Sequence, residues 1–311
     1  MSHSTSIELS VIIPLYNEET MIQTLHQRVE ASLQLLSKTY EIVYVNDGSK
    51  DATLSILLGL RSKNQNIKIV SLSRNFGHQA AYTAGLHYAK GNTIIMMDGD
   101  LQDPPELIPE MYKKAEKEEL DVVYGSRSDR KESWFRKLAF GLFHKLFKKV
   151  SRFPIEGNAG NFCLMNRAAL EAFLSLTEKN RYLPGIRAFI GFRQGSVSYV
   201  REGRENGKSK MPLARLFKLA IDALFSFSSL PIRICVVLGL IGITASLVGV
   251  LVVVVKKING EAILGWTSVM LSIYFLGSVQ LFFLGVIGEY IHRIFVESQN
   301  RPLYIVNKFY E

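Results

Sequence analysis

Cysteine is nearly absent from this sequence. Only Cys163 and Cys235 occur among its 311 residues, so no framework of disulfide bonds is indicated. The N-terminus lacks a basic start followed by an apolar core, and we therefore expect no secretory signal there. No internal repeat or low-complexity tract is visible. The length allows one large domain or two smaller ones.

Charged side chains are absent from two long stretches near the C-terminus. These stretches are Ile234–Val255 and Ala262–Gly288, and each is long enough for a membrane helix, which needs roughly 20 apolar residues. Two buried core helices are the alternative, but uncharged runs of this length are rare in soluble domains. The sequence therefore predicts two transmembrane helices within 232–289, joined by a short outer loop.

The positive charges around these stretches predict their orientation. The proposed inner side carries more arginine and lysine than the outer loop, where Lys256 and Lys257 lie. We therefore expect a multi-pass protein of the inner (plasma) membrane, with the domain 1–211, the tail 290–311 and both termini in the cytoplasm. The basic residues on the inner side are Arg215, Lys218, Arg233, Arg293, Arg301 and Lys308.

The formal net charge of +9 is compatible with two kinds of anionic partner. It suits a protein held near anionic lipid headgroups. Nucleic acid is the other class, but the sequence has no cluster of basic and aromatic residues typical of nucleic-acid binding. The membrane is therefore an expected partner, and nucleic acid is not.

Two further segments have the pattern of helices that lie in the membrane interface. In 134–150, Trp134, Leu138 and Leu142 recur at helical spacing, and several lysines supply a basic face. Segment 212–231 has a similar apolar side and leads directly into the first predicted span. We expect both to be interfacial helices. Ordinary surface helices packed on a soluble core are the alternative.

The first 125 residues alternate short β-branched runs with longer amphipathic stretches. This rhythm predicts an α/β fold with a mostly parallel sheet and helices on both faces. The turns that follow parallel strands meet along one edge of the sheet, where such folds bind ligands. The predicted strands are Leu9–Pro14, Glu41–Asn46, Ile67–Ser71, Thr93–Asp98 and Val122–Gly125, and the predicted helices are Glu18–Leu36, Asp51–Lys63, His78–Lys90 and Pro105–Glu118.

An acidic segment follows the fourth predicted strand. Asp98, Asp100 and Gln102 alternate there, so in an extended backbone their side-chain oxygens can converge on one ion. Oxygen ligands favour a hard divalent cation, here Mg²⁺ or Mn²⁺, which would bridge a substrate diphosphate. The alternative is a solvated acidic turn that starts a helix, with Pro104 and Pro105 as its first residues.

Three segments of the first half resemble the inverting glycosyltransferases of family 2, in particular the polyprenyl-phosphate glycosyltransferases and dolichol-phosphate mannose synthase. Three C-terminal segments resemble the bacterial two-span branch that charges undecaprenyl phosphate with glucose, so the resemblance covers nearly the whole chain. It implies a GT-A-like nucleotide-sugar-binding domain. The segments are Val11–Glu19, Val45–Asp51, Met97–Glu106, Gly265–Ser268, Gly285–Tyr290 and Arg301–Tyr304.

The resemblance also implies an activity and partners. A nucleotide sugar, most simply UDP-glucose, would donate its sugar to polyprenyl phosphate at the cytoplasmic membrane face, with inversion of the anomeric carbon. A flippase would then move the lipid sugar outward, and a homo-oligomer is compatible with the sequence. The alternatives are a processive polysaccharide synthase, whose Gln-x-x-Arg-Trp segment and longer channel are not found here, and a catalytically silent membrane-tethered nucleotide-binding module.

By the same resemblance, the nucleotide pocket is built from the first two strand ends and the acidic segment. Asp47 would accept the base N–H, and Gly48 after it permits close approach by a ligand. A turn that only caps the next helix is the alternative for this segment. The nucleotide-binding residues implied are Pro14, Tyr16, Glu18, Asp47 and Asp98.

Basic residues downstream are expected to hold the donor diphosphate and the lipid phosphate together. A guanidinium grips phosphate oxygens through two parallel hydrogen bonds. The alternative is a generic basic flank drawn to headgroups. The residues assigned to this role are Arg127, Arg201, Arg204, Ser209 and Lys210.

One segment departs from the family pattern. Asn158 and Asn161 stand where relatives carry aspartates, and the second of those aspartates is the family's candidate base. An amide cannot take up a proton at neutral pH. The acceptor phosphate is already anionic, however, so positioning can supply most of the catalysis. We expect Asn161, Asp100 and Arg127 to act together at the reacting groups. An inactive form, natural or engineered, is the alternative.

Overall fold

The computed structural model forms two compact units, which are described separately. The first consists of Met1–Lys148, Phe153–Lys210 and Arg301–Glu311, and the second of Lys149–Arg152 and Met211–Asn300. The predicted interfacial helices 134–150 and 212–231 lie outside the described residues. The structure describes residues 7–127, 159–179, 181–200, 237–239, 241–242, 244, 247–249, 251–252, 255–256, 258–259 and 265–311.

The first unit contains an eight-stranded sheet. The five strands predicted from the sequence are confirmed, with ends that differ by no more than two residues. Three further strands were not predicted, and one of them comes from the last residues of the chain. The strands are β1 (Leu9–Leu15), β2 (Tyr40–Asn46), β3 (Ile67–Leu72), β4 (Thr93–Met96), β5 (Val122–Arg127), β6 (Ala159–Asn166), β7 (Gln194–Tyr199) and β8 (Val306–Tyr310).

The sheet is mostly parallel, as predicted, and its order is β7-β5-β6-β4-β1-β2-β3-β8. Strand β1 pairs in parallel with β2 and β4, β2 with β3, and β5 with β7. Strand β6 runs antiparallel between β4 and β5, with Met96 opposite Cys163. The N-terminal end of β6 therefore lies at the same edge as the carboxyl ends of β1 and β4.

Helices cover both faces of the sheet, as the sequence predicts, because its central strands are apolar on both sides. Every residue of β1 is buried. Helices α1, α2 and α4 pack on one face, and α3, α5 and α6 pack on the other. Their bounds are α1 (Ile22–Gln34), α2 (Thr53–Arg61), α3 (His78–Tyr88), α4 (Ile108–Lys117, preceded by a 3-10 turn Pro105–Leu107), α5 (Arg167–Ser175) and α6 (Leu183–Phe189).

The second unit contains the long helix α7 (Trp266–Ser298), which is 33 residues long. Within the described part of the chain, one helical stretch is long and apolar enough to cross a membrane, Ser272–Ser298. It overlaps the second predicted span and continues ten residues beyond the predicted end at Gly288. Large apolar side chains such as Phe282 and Leu284 are exposed along it. The first predicted span is only partly described, so the pair of transmembrane helices stays a prediction.

The last residues of the chain belong to the first unit. Strand β8 pairs antiparallel with β3, and Phe309 packs against Tyr88 of α3 at a ring-centroid distance of 4.4 Å. The Ser73 N–H donates to the carbonyl of Ile305 at 2.9 Å. The segment predicted as a cytoplasmic tail therefore supplies an edge strand.

Candidate active site

The turns after β1 and β2 are joined at the carboxyl edge of the sheet. The Asn17 N–H donates to Ser49 Oγ at 3.1 Å, and the Lys50 N–H donates to Asn17 Oδ1 at 2.8 Å. The Glu18 N–H donates to Thr53 Oγ at 3.0 Å. Asn17 has a φ of 55°, a conformation that asparagine tolerates better than most residues. These three hydrogen bonds join the turn after β1 to the turn after β2.

Asp47 connects these two turns to the loop after β3. Its buried carboxylate accepts the Phe76 N–H at 2.8 Å on Oδ1 and the Gly77 N–H at 3.0 Å on Oδ2. Burial raises the pKa of Asp47 above its ordinary value, although these two hydrogen bonds act in the opposite direction. Gly48 has a φ of 64°, and a Cβ there would lie 2.4 Å from the carbonyl carbon of Arg74. Only glycine fits this contact.

The other residues predicted for the nucleotide pocket lie at the end of β1 and just beyond it. Pro14 is buried in the strand, Tyr16 is exposed and Glu18 is partly buried. A Cβ on Gly99 would lie 3.0 Å from the Pro14 carbonyl oxygen. The acidic segment therefore passes directly over the end of β1, beside the predicted pocket.

Asp98 is held by two side chains of helix α3. The Nε2–H of His78 donates to Asp98 Oδ1 at 2.9 Å, and the Tyr82 hydroxyl donates to the same oxygen at 2.7 Å. Burial acts to raise the pKa of Asp98, but the hydrogen bond and charge of His78 outweigh it, and the pKa is lowered. Asp98 is therefore ionised at neutral pH. Neither His78 nor Tyr82 was assigned a role from the sequence.

Asp100 and Gln102 lie on a tight turn that follows. The Gln102 N–H donates to Asp100 Oδ1 at 3.2 Å, and Leu101 between them has a φ of 56°. Within the described ranges there is no group of three or more His, Cys, Asp or Glu side chains that could hold a metal. Mg²⁺ usually binds one or two carboxylates together with substrate phosphates, so Asp98 and Asp100 suit a cation that the substrate also coordinates.

Arg127 lies at the end of β5 in a buried polar cluster. Its Nε donates to the Tyr199 hydroxyl at 3.3 Å, and its Nη2 lies 3.6 Å from Asp103 Oδ1. The Tyr199 hydroxyl also donates to Asp103 Oδ1. Burial acts to lower the pKa of Arg127, but the Tyr199 hydrogen bond and the Asp103 charge raise it. The acidic segment thus fixes a guanidinium through Asp103, a role that the sequence did not predict.

Asn161 lies in β6, next to Gly160. A Cβ on Gly160 would stand 2.7 Å from Arg127 Nη2. Strand β4 ends at Met96, opposite Cys163, so Asn161 and Asp98 each lie two residues beyond the last β4–β6 pair, at the same edge of the sheet. The structure therefore brings the acidic segment, Arg127 and Asn161 to one edge of the sheet. Asn158, Arg201, Arg204, Ser209 and Lys210 lie outside the described residues.

Two family models match the chain. The model for glycosyl transferase family 2 matches residues 10–174, and the model for the GtrB C-terminal hairpin matches residues 230–294. Together they cover the acidic segment, strands β1 to β6 from residue 10 onward, and most of the second unit, while β7 and β8 lie outside both matches.

Curated relatives match over nearly the full length. An uncharacterized glycosyltransferase of Synechocystis sp. is 43% identical over 97% of this chain and 95% of its own. A bactoprenol glucosyl transferase of Shigella phage SfII is 38% identical over 97% of this chain and 98% of its own. Among solved structures, glucosyl-3-phosphoglycerate synthase from Mycobacterium tuberculosis is 19% identical, with a TM-score of 0.46 over 70% of this chain and 77% of that chain.

Proposed function

The chain belongs to glycosyl transferase family 2, and on that premise we propose that it transfers glucose from UDP-glucose to the phosphate of a polyprenyl phosphate lipid. The observation that carries this proposal is the similarity, over nearly the whole chain, to bactoprenol glucosyl transferases. The acidic segment at the carboxyl edge of the sheet supplies the chemistry for a nucleotide diphosphate.

Asp98 and Asp100 would hold a divalent cation, Mg²⁺ or Mn²⁺, with Gln102 as a third oxygen donor. When bound, the cation neutralises charge on the diphosphate leaving group. Asp98 is already ionised and fixed by two hydrogen bonds. Asp100 accepts the Gln102 N–H across the turn at Leu101.

Asp47 would position the nucleotide in two ways. Its bonds to Phe76 and Gly77 shape the loop after β3. Each carboxylate oxygen has a second acceptor site, so Asp47 can also accept the N–H of a base. Pro14, Tyr16 and Glu18 would line the same pocket beside it.

Arg127 would bind phosphate oxygens at the reacting end of the site. An oxygen of the acceptor phosphate attacks the anomeric carbon, the bond from that carbon to the diphosphate oxygen breaks, and UDP leaves with the electron pair. Attack opposite the leaving group inverts the carbon, so an α-linked donor gives a β-linked lipid sugar. The acceptor is already anionic, so Asn161 would orient it by hydrogen bonding without taking up a proton.

The acceptor is a lipid, which places the reaction at a membrane. Helix α7 and the match to the GtrB C-terminal hairpin support membrane association. We assign the catalytic domain and both termini to the cytoplasmic face, with Arg201, Arg204, Ser209 and Lys210 near the headgroup. Delivery of the product to a flippase and assembly into a homo-oligomer stay predictions.

The experiment that tests this function is turnover by the purified full-length protein. It would be incubated with undecaprenyl phosphate, a divalent metal and a panel of nucleotide sugars, with UDP-glucose among them. We expect a glucosylated lipid and equimolar UDP. Polymer without a lipid-linked monosaccharide would favour a processive synthase, and nucleotide binding without any turnover would favour a silent tethered module.

A further inference from the structure

We propose that His78 and Tyr82 are positioning residues that aim Asp98 at the catalytic cation. This inference rests on the proposed function and deepens it. Neither residue belongs to the acidic segment, and both come from the first turns of α3. Their common feature is a hydrogen bond to one oxygen of Asp98.

Helical spacing explains why these two side chains reach the same atom. Residues i and i+4 lie on one face of a helix, and His78 and Tyr82 have this separation. Their rings meet edge to face, with centroids 4.8 Å apart. Each ring therefore limits the movement of the other.

Both donors end on Oδ1 of Asp98, at 2.9 Å and 2.7 Å. Two donors on one oxygen fix the rotation of the carboxylate, and they leave Oδ2 as the oxygen that can face a cation. Carboxylates that bind metals are commonly oriented by hydrogen bonds from neighbouring groups that do not themselves touch the metal. The arrangement thus orients a metal ligand before the metal arrives.

The two donors differ in exposure. Tyr82 is fully buried, so its hydroxyl cannot contact a substrate. It donates its hydrogen bond to Asp98 from the core side. The His78 side chain is 45% exposed and reaches Asp98 from the solvent side. A purely structural role would predict that removing either donor changes stability but not the affinity of the site for metal.

The test is binding of Mn²⁺ by the full-length protein in the presence of UDP, followed by the electron paramagnetic resonance signal of free Mn²⁺. We expect Tyr82→Phe and His78→Ala each to weaken Mn²⁺ binding by about tenfold, the lower end of the usual effect of removing such supporting bonds. His78→Gln keeps an N–H donor at similar reach, so it should restore most of the affinity.

Two matched controls separate this effect from general damage. Tyr44→Phe removes another buried tyrosine hydroxyl, which bonds to His26 Nδ1 at 3.2 Å on the face of the sheet opposite α3. His87→Ala removes an exposed histidine from the same helix. Both should bind Mn²⁺ as the wild type does, and melting temperatures would report the folding of all variants.

The outcomes distinguish this inference from the proposed function. Unchanged Mn²⁺ affinity in His78→Ala and in folded Tyr82→Phe would overturn the positioning role and leave the proposed function standing. If Tyr82→Phe does not fold, His78→Ala and its rescue by glutamine decide the question. A wild-type protein that binds no Mn²⁺ with UDP would overturn the metal-dependent function and this inference together.

Discussion

Gly160 of β6 lies directly against the guanidinium of Arg127: a Cβ on Gly160 would stand 2.7 Å from Nη2. The guanidinium also donates from Nε to the Tyr199 hydroxyl at 3.3 Å, and its Nη2 lies 3.6 Å from Asp103 Oδ1. An added methyl group would therefore push the end of a flexible side chain and not the backbone. The contact therefore links strand β6, which carries Asn161, to the arginine that is proposed to bind phosphate oxygens.

The first prediction follows from this contact. Gly160→Ala should lower kcat/KM by about 10- to 100-fold, because a shift of about 1 Å in a positioning group has effects of this size. The melting temperature should change little. Gly59→Ala is the control, since a Cβ on Gly59 meets nothing within 4 Å. Full activity of Gly160→Ala would mean that the position of Arg127 does not matter.

Replacement of Arg127 by lysine tests how phosphate is held. Lysine keeps the charge but lacks the planar fork that binds two phosphate oxygens at once. We expect the KM for lipid acceptor to rise by about tenfold, which corresponds to the loss of one charge-assisted hydrogen bond. Arg193→Lys is a matched control, because Arg193 is exposed and pairs with Glu119 at 3.0 Å. Equal kinetics for both variants would remove Arg127 from the site.

Gly48→Ala tests the nucleotide pocket. The Gly48 φ of 64° and the 2.4 Å approach to Arg74 mean that alanine displaces the loop after β3. That loop supplies both N–H donors to Asp47. We expect UDP to bind at least about tenfold more weakly and the free energy of unfolding to fall by about 1–3 kcal/mol. Calorimetric titration of UDP and chemical denaturation would measure the two effects, and unchanged UDP affinity would contradict the assigned pocket.

Local pattern was sufficient to predict the first part of this fold. Strands β1 to β4 are short apolar runs, and their polar turns converge at one edge because parallel strands force them to do so. Strands β6, β7 and β8 were not predicted, since their places are fixed by pairing with distant segments. Strand β8 pairs with β3 although more than 230 residues of chain separate them. The local alternation of apolar and polar residues carries no information about such a distant pairing.

The same difference applies to the site. Asp98 and Asp100 could be found because they alternate beside a predicted strand end. The residues that hydrogen-bond to the acidic segment could not be identified from the sequence. His78 and Tyr82 resemble ordinary helix residues, and Tyr199 resembles a buried core tyrosine, until the fold brings them to Asp98 and Asp103.

Asn161→Asp tests whether catalysis here depends on positioning. The acceptor phosphate needs no base, so we expect kcat to change by less than about tenfold when the carboxylate of the relatives is restored. Single-turnover measurements at saturating lipid and donor would report this value. A gain of several orders of magnitude would mean that a base is required and that the asparagine disables the enzyme.

The central claim is that Asp98 and Asp100 bind the cation that holds the diphosphate of a nucleotide sugar. The most direct test is calorimetric titration of UDP-glucose, with and without Mn²⁺, into the wild-type protein and the double variant Asp98→Asn, Asp100→Asn. We predict that Mn²⁺ strengthens binding to the wild type and has no effect on the folded double variant. An equal Mn²⁺-dependent gain in both proteins would contradict the claim.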